Sequence, residues 1–198
     1  MATAQRSGGY CFMVNKWILA ATVTLVCASS LTTVLAQPKN QQADFGTANL
    51  IGGRPERKVE FPNIKDWNSL RITLRRGVCF GTCPAYSVEI DGDGTVIFKG
   101  ISFVAVKGRR VAQISVQDVH NLFEKFREVD YFWSRDYYEA SVTDLPASLT
   151  SIAFDDHKKS VGEYGGSMVG MPRELLDIAT AIDQTAGTAK WIGHSRMP

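Results

Sequence analysis

LRITLRRGVCFGTCPAYSVEIDGDGTVIFKG, residues 70–100, decides the fold. Leu70, Ile72 and Leu74 alternate with Arg71, Thr73 and Arg75, the period of a strand with one face buried and one in water. Tyr86, Val88 and Ile90 alternate in the same way with Ser87 and Glu89. Asp91-Gly92-Asp93-Gly94 supplies a hairpin turn between them and the return strand of Val96 and Phe98, because Gly and Asp tolerate the positive φ of tight hairpins. Strands that follow one another across short turns pair antiparallel.

Downstream the pattern extends and then changes. SFVAV, residues 102–106, reads as another strand run that turns at Lys107-Gly108 into the strand RRVAQI. From Ser115 the period becomes that of a helix, with Ser115 as N-cap and Asp118 as its capping-box partner. Val116, Val119, Leu122, Phe123, Phe126 and Val129 fall on one face, and His120, Glu124, Lys125 and Arg127 fall outside it. LTSIAF (149–154) and KKSVGEY (158–164) flank Asp155-Asp156-His157 as a second hairpin. Pro172 opens a last helix with Leu175, Ile178, Ala179 and Ile182 inward, and Gly187 closes it. The expected class is α+β, an antiparallel sheet of about four to six strands with two helices on one face. The order of elements argues against a doubly wound nucleotide-binding fold.

The bulk composition agrees with one globular domain plus extensions: 198 residues, 44% hydrophobic, 21% charged. Residues 1–36 carry Arg6 and Lys16, no acid, then the apolar run WILAATVTLV and the small-residue approach to Ala36. That is the layout of a signal peptide cleaved after Ala36. An uncleaved anchor is the alternative, since Trp17 to Ala36 is an uncharged stretch of about 20 residues. Val26 before Cys27 speaks against a lipoprotein. Either way the remainder is expected outside the cytoplasm, periplasmic or secreted, or periplasmic and held at the inner membrane. Removing the segment takes two positive charges from a chain of net charge +2. The neutral remainder has no basic face for nucleic acid. Residues 37–67, with the short basic cluster Arg54-Pro55-Glu56-Arg57-Lys58, read as a flexible linker, 68–193 as the single domain, and 194–198 as a tail.

CFGTCPAYSVEIDGDGTVIFKG, the later SVTDLPASLTSIAF and the closing TAKWIG together resemble a bacterial exported family catalogued as domain of unknown function 6438. The resemblance runs over roughly residues 68–193 and centres on Gly81-Thr82-Cys83-Pro84 and the distant Thr143-Asp144. It implies a family and no particular activity.

Cys79 and Cys83 are the cysteines left once the first 36 residues are removed. In an oxidising compartment such a pair reads as a structural disulfide, with Gly81 turning the chain and Pro84 starting the next strand. The Cys-x-x-x-Cys-Pro spacing is also similar to the motif of Sco-type copper chaperones, so a periplasmic thiol-redox or copper-handling protein is the competing reading. This chain departs from that pattern: its cysteines lead into a strand rather than a helix N-terminus that would lower a thiol pKa. His120, His157 and His194 have no ligand spacing with either cysteine. No metal or cofactor is implied. The Asp91–Gly94 run lacks the later ligands of a calcium loop, and Gly193-His194-Ser195 lacks a nucleophile elbow.

Asp130 to Tyr138, DYFWSRDYY, packs five aromatics around Arg135 and Asp136. It reads either as core and rim covering or as a ligand groove, since Tyr, Trp and Arg concentrate at binding hot spots. The groove reading selects Trp133, Tyr137 and Tyr138, with Tyr86 and Asp144 as further polar candidates. The function expected from these residues is a non-catalytic binding or envelope-associated domain, its partner an envelope protein or small ligand.

Overall fold

The structure is a computed structural model that describes residues 56–193. The expected export segment 1–36, residues 37–55 of the expected linker, His194 and the rest of the tail lie outside the described residues.

Seven strands form one sheet: β1 (Arg71–Arg76), β2 (Ala85–Asp91), β3 (Thr95–Ser102), β4 (Gly108–Gln113), β5 (Tyr137–Glu139), β6 (Ser148–Phe154) and β7 (His157–Tyr164). Their spatial order is β4-β3-β2-β1-β6-β7-β5. All neighbours are antiparallel except β5, which runs parallel to β7. Two longer helices, α1 (Val116–Glu128) and α2 (Arg173–Ala186), and the short α3 (Ala189–Ile192) complete the α+β fold.

The alternation in the sequence is the cause of the layering. Leu70, Ile72, Leu74, Val88, Ile90, Val96, Phe98, Ile152 and Phe154 are all at most 1% exposed and share one core. Val119, Leu122, Phe123 and Phe126 of α1 and Leu175, Ile178 and Ile182 of α2 close it. Ser115 caps α1, its Oγ accepting from Asp118 N at 3.1 Å. The Asp118 carboxylate accepts from the Ser115 hydroxyl at 2.6 Å rather than from a backbone N–H. Gly187 ends α2 with φ 62, the left-handed conformation glycine adopts without strain.

Four sequence expectations change. The sheet has seven strands, not four to six, because the aromatic stretch contributes β5, too short at three residues to show a period. Residues 103–107 leave the sheet: Ala105 N and Val106 N donate to Ile192 O and Trp191 O of α3 at 3.0 and 2.9 Å, so their donors are spent on the C-terminus instead of a ladder. Val116 stands exposed, since it opens α1 a turn before the packed face begins. His120, expected outside the apolar face, is half-buried with its ring 3.7 Å from that of Trp67.

Upstream of position 68 the chain is already packed. Phe61, Ile64 and Trp67 lie against the core, and Phe61 meets Phe123 and Phe132 edge-on at 5.3 and 5.1 Å. The turn residue Asp155 fastens this entry segment: its carboxylate accepts from Lys65 N and Asp66 N at 2.9 and 3.1 Å. Those backbone bonds, Lys65 first, hold Asp155 below the ordinary carboxylate range.

Candidate functional site

Arg76 ends β1 with the same parity as Ile72 and Leu74, which puts a guanidinium on the inner face of the sheet. Cross-strand pairing extends that position into a polar row. Tyr86 on β2 stands opposite Arg76, Ser148 on β6 stands opposite it on the other side, and Glu163 on β7 is opposite Ser148. One step further in, the row reads Val88, Leu74, Thr150 and Val161. The inner face therefore grades from hydrocarbon to polar toward the end where the Cys79–Cys83 loop joins β1 to β2.

Helix α2 lies over this row. Asp183 falls four residues after Ala179 and one after Ile182, on the edge of the packed face. Its carboxylate accepts from Arg76 Nη2 at 2.9 Å and Nε at 3.1 Å, from the Tyr86 hydroxyl at 2.9 Å and from the Thr188 hydroxyl at 2.8 Å. Arg76 Nε also donates to the Tyr86 oxygen at 3.0 Å. Desolvation is the largest single influence and would lower the Arg76 pKa, but the charges and hydrogen bonds of Asp183 and Tyr86 together outweigh it and the net direction is up. Burial, reinforced by Asp183, pushes the Tyr86 phenol well above its usual range. Arg76 is thus a fixed, permanent cation.

Beside this network a cavity of ≈160 Å³ opens between the sheet and α2. Arg76, Ser148, Thr150 and Glu163 form its polar wall, Met171, Leu175 and Ala179 part of its apolar wall, and exposed Thr180 also borders it. Glu163 accepts from the Ser148 hydroxyl at 3.0 Å and from Gly166 N at 3.2 Å. Thr150 is held by the buried Tyr131 hydroxyl at 2.7 Å. A Cβ at Gly166 would lie 2.7 Å from the Met171 sulfur, so a side chain there would displace Met171 from the cavity wall.

Of the residues chosen from sequence, Tyr86 belongs to this network. Tyr138 is buried at the far end of the polar row, paired with Glu163 across β5 and β7. The other three stand apart. The Tyr137 ring covers the backbone of Gly162, Asp144 is exposed with φ 72, and half-buried Trp133 carries the Lys58 ammonium 5.7 Å from its ring. None of the five borders the cavity itself. Arg76, Glu163 and Asp183 escaped the sequence reading, although each left a trace: a charge at the parity or helical phase of buried apolar neighbours.

Cys79 and Cys83 are disulfide-bonded with Cα atoms 5.6 Å apart. Gly81, at φ 149, turns the loop and donates its N–H to Cys79 O at 2.9 Å. Cys83 leads through Pro84 into β2, not into a helix. His157 and the Trp67–His120 pair sit at the opposite end of the sheet, where Arg71 pairs Ala153. Among the described residues no group of three or more His, Cys, Asp or Glu is arranged to hold a metal ion, and no helix is long and apolar enough to cross a membrane.

The fold and site define a two-layer α+β domain with a charged cavity under its second long helix. The chain belongs to the family described as domain of unknown function (DUF6438), whose profile matches residues 70–186. No curated protein matches it.

Proposed function

We propose that the chain is exported and acts as a small-ligand binding domain of the cell envelope, without catalytic chemistry of its own. The observation that carries the binding role is the cavity between the sheet and α2, with Arg76 and Glu163 both on its wall. Burying charged groups is costly; Asp183 offsets that cost for Arg76, but among the described residues no cation does so for Glu163. A ligand that uses those charges accounts for the arrangement. Tyr86 and Asp183 act as positioning residues that hold the guanidinium in place. The Cys79–Cys83 bond supports export, since such bonds persist in oxidising compartments, and the targeting pattern of residues 1–36 supports it independently.

Thermal-shift screening of the full chain against polar metabolites of the envelope tests the binding role. At least one compound is expected to raise the melting temperature, and Thr180→Trp, an exposed α2 substitution that crowds the cavity, is expected to abolish that rise. A library with no hit, or hits indifferent to Thr180→Trp, would overturn it. Intact mass of the protein recovered from the envelope fraction tests export: a chain beginning at Gln37 is expected, and retention in the cytoplasm would refute it.

A further inference from the structure

The cavity's charges are not matched to one another. Arg76 spends Nε and Nη2 on Tyr86 and Asp183, and Asp183 supplies the carboxylate that balances its charge. Arg76 Nη1 has no hydrogen-bond partner among the described residues. Glu163 is half-buried and takes hydrogen bonds only from neutral donors, the Ser148 hydroxyl and Gly166 N. Among the described residues no Lys, Arg or His lies within salt-bridge distance of it. The Arg76–Asp183 pair is close to neutral, so the site as a whole carries the uncompensated charge of Glu163.

Resting on the small-ligand reading above, we propose that the cavity takes a free α-amino acid with a small apolar side chain, its ammonium against Glu163 and its carboxylate toward Arg76 Nη1.

Three features select this class. A carboxylate without a paired cation in a partly desolvated site favours a cationic ligand group, and an ammonium brings the donors to satisfy it. Arg76 stands on the same wall, in the same cross-strand row, two strands from Glu163. A ligand carrying an ammonium alone would leave the Arg76 Nη1 donors without an acceptor, whereas the carboxylate of a zwitterion supplies one. The remaining wall, Val161, Met171, Leu175, Leu176 and Ala179, is hydrocarbon suited to a short aliphatic side chain. The size agrees: a cavity of about 150 Å³ holds a ligand the size of benzene, and this one measures ≈160 Å³.

Isothermal titration of the full chain decides the matter, using alanine, valine and leucine beside carboxylates and amines of the same chain length. The amino acids are expected to bind at least tenfold more tightly than either monofunctional series. Glu163→Gln keeps the size of the side chain and an oxygen for Ser148. It is expected to weaken amino-acid binding about tenfold or more while leaving the carboxylates unchanged. Its circular dichroism and melting temperature are compared with wild type, so that a folding defect is not read as lost recognition. Should Glu163→Gln unfold the chain, Thr180→Trp serves instead and is expected to abolish amino-acid binding. Carboxylates or amines binding as tightly as amino acids, or amino-acid affinity indifferent to both substitutions, would overturn the ligand class. If amino acids are silent while other compounds give shifts that Thr180→Trp removes, the zwitterion assignment fails and the small-ligand reading stands. If nothing binds, both fall.

Discussion

Arg76 and Asp183, 107 positions apart in the chain, meet at 2.9 Å and join the last residue of β1 to the last turn of α2. The pair fixes how the helix sits over the polar end of the sheet, and so shapes the cavity wall. Removing one partner of a fully buried pair costs about 3–5 kcal/mol. The Arg76 side chain keeps 31% of its exposure, so water recovers part of that loss. Asp183→Ala is expected to lower the unfolding free energy by about 2–3 kcal/mol. Tyr86→Phe, which deletes a single donor to the carboxylate, should cost about 1 kcal/mol. Urea titration of the two variants checks both the values and their order; a larger loss from Tyr86→Phe would refute the central place given to the ion pair.

The same network predicts how stability responds to alkali. Burial raises the phenols of Tyr86 and Tyr131, with the Asp183 charge adding to the first. In the unfolded chain a tyrosine ionises near pH 10, at about its ordinary value. Above that pH the unfolded state releases protons the folded state still holds, so unfolding becomes easier as pH rises. The contribution is complete below about pH 10 and declines from there toward the raised folded values. Melting temperatures taken from neutral to strongly alkaline pH should hold level and then drop, with Tyr86 and Tyr131 ionising only as the fold is lost. Tyr86→Phe should make the drop shallower.

The disulfide closes a loop whose tip is in water. Phe80 is 88% exposed, so the bond acts on the chain's freedom and not on packing. Its loop-closure contribution is about 2 kcal/mol. The double variant Cys79→Ser/Cys83→Ser is expected to remain folded, lose about that much, and respond no further to reductant. Phe80→Ser should change stability by less than about 0.5 kcal/mol. Chemical denaturation with and without reductant separates these cases.

The contrast between layers and site has a physical origin. Strand and helix periods are local, and Leu70 to Leu74, Tyr86 to Ile90 and the α1 face showed them directly. Residues 103–106 misled because Val104 and Val106 are partly buried as a strand's would be, yet the backbone N–H groups of Ala105 and Val106 donate to α3, a partner no local period reveals. The cavity depends on β1, β6 and β7 aligned in register under α2, and its charged residues come from β1 and β7. A single sequence shows each of these charges only as an interruption in an apolar pattern. The aromatic stretch drew attention by composition, but Tyr131 and Phe132 serve the core, with Phe132 beside Phe61 and Phe154.

The Asp91–Gly94 turn gives a final test, because its two glycines do different things. Gly94 has φ 87, the left-handed conformation that the sequence pattern foretold. Gly92 does not; it is there because the chain entering β1 crosses directly above it. A Cβ at Gly92 would lie 1.7 Å from the carbonyl oxygen of Trp67 and 2.8 Å from its carbonyl carbon. Gly92 N donates to Leu70 O at 2.9 Å, tying the same crossing together. The obstacle is backbone, which cannot rotate away as a side chain does, so Gly92→Ala must push the 67–70 segment off the hairpin. Overpacking of this kind costs about 2–3 kcal/mol. Gly108, with φ 78 and no atom within 4 Å of the place a Cβ would take, is the control. Gly108→Ala bears only the left-handed backbone penalty of about 1 kcal/mol. Denaturation midpoints should rank Gly92→Ala well below Gly108→Ala, and Trp67 fluorescence should shift in the first variant alone. Equal losses in the two would show that the crossing yields more easily than a backbone contact at this distance allows.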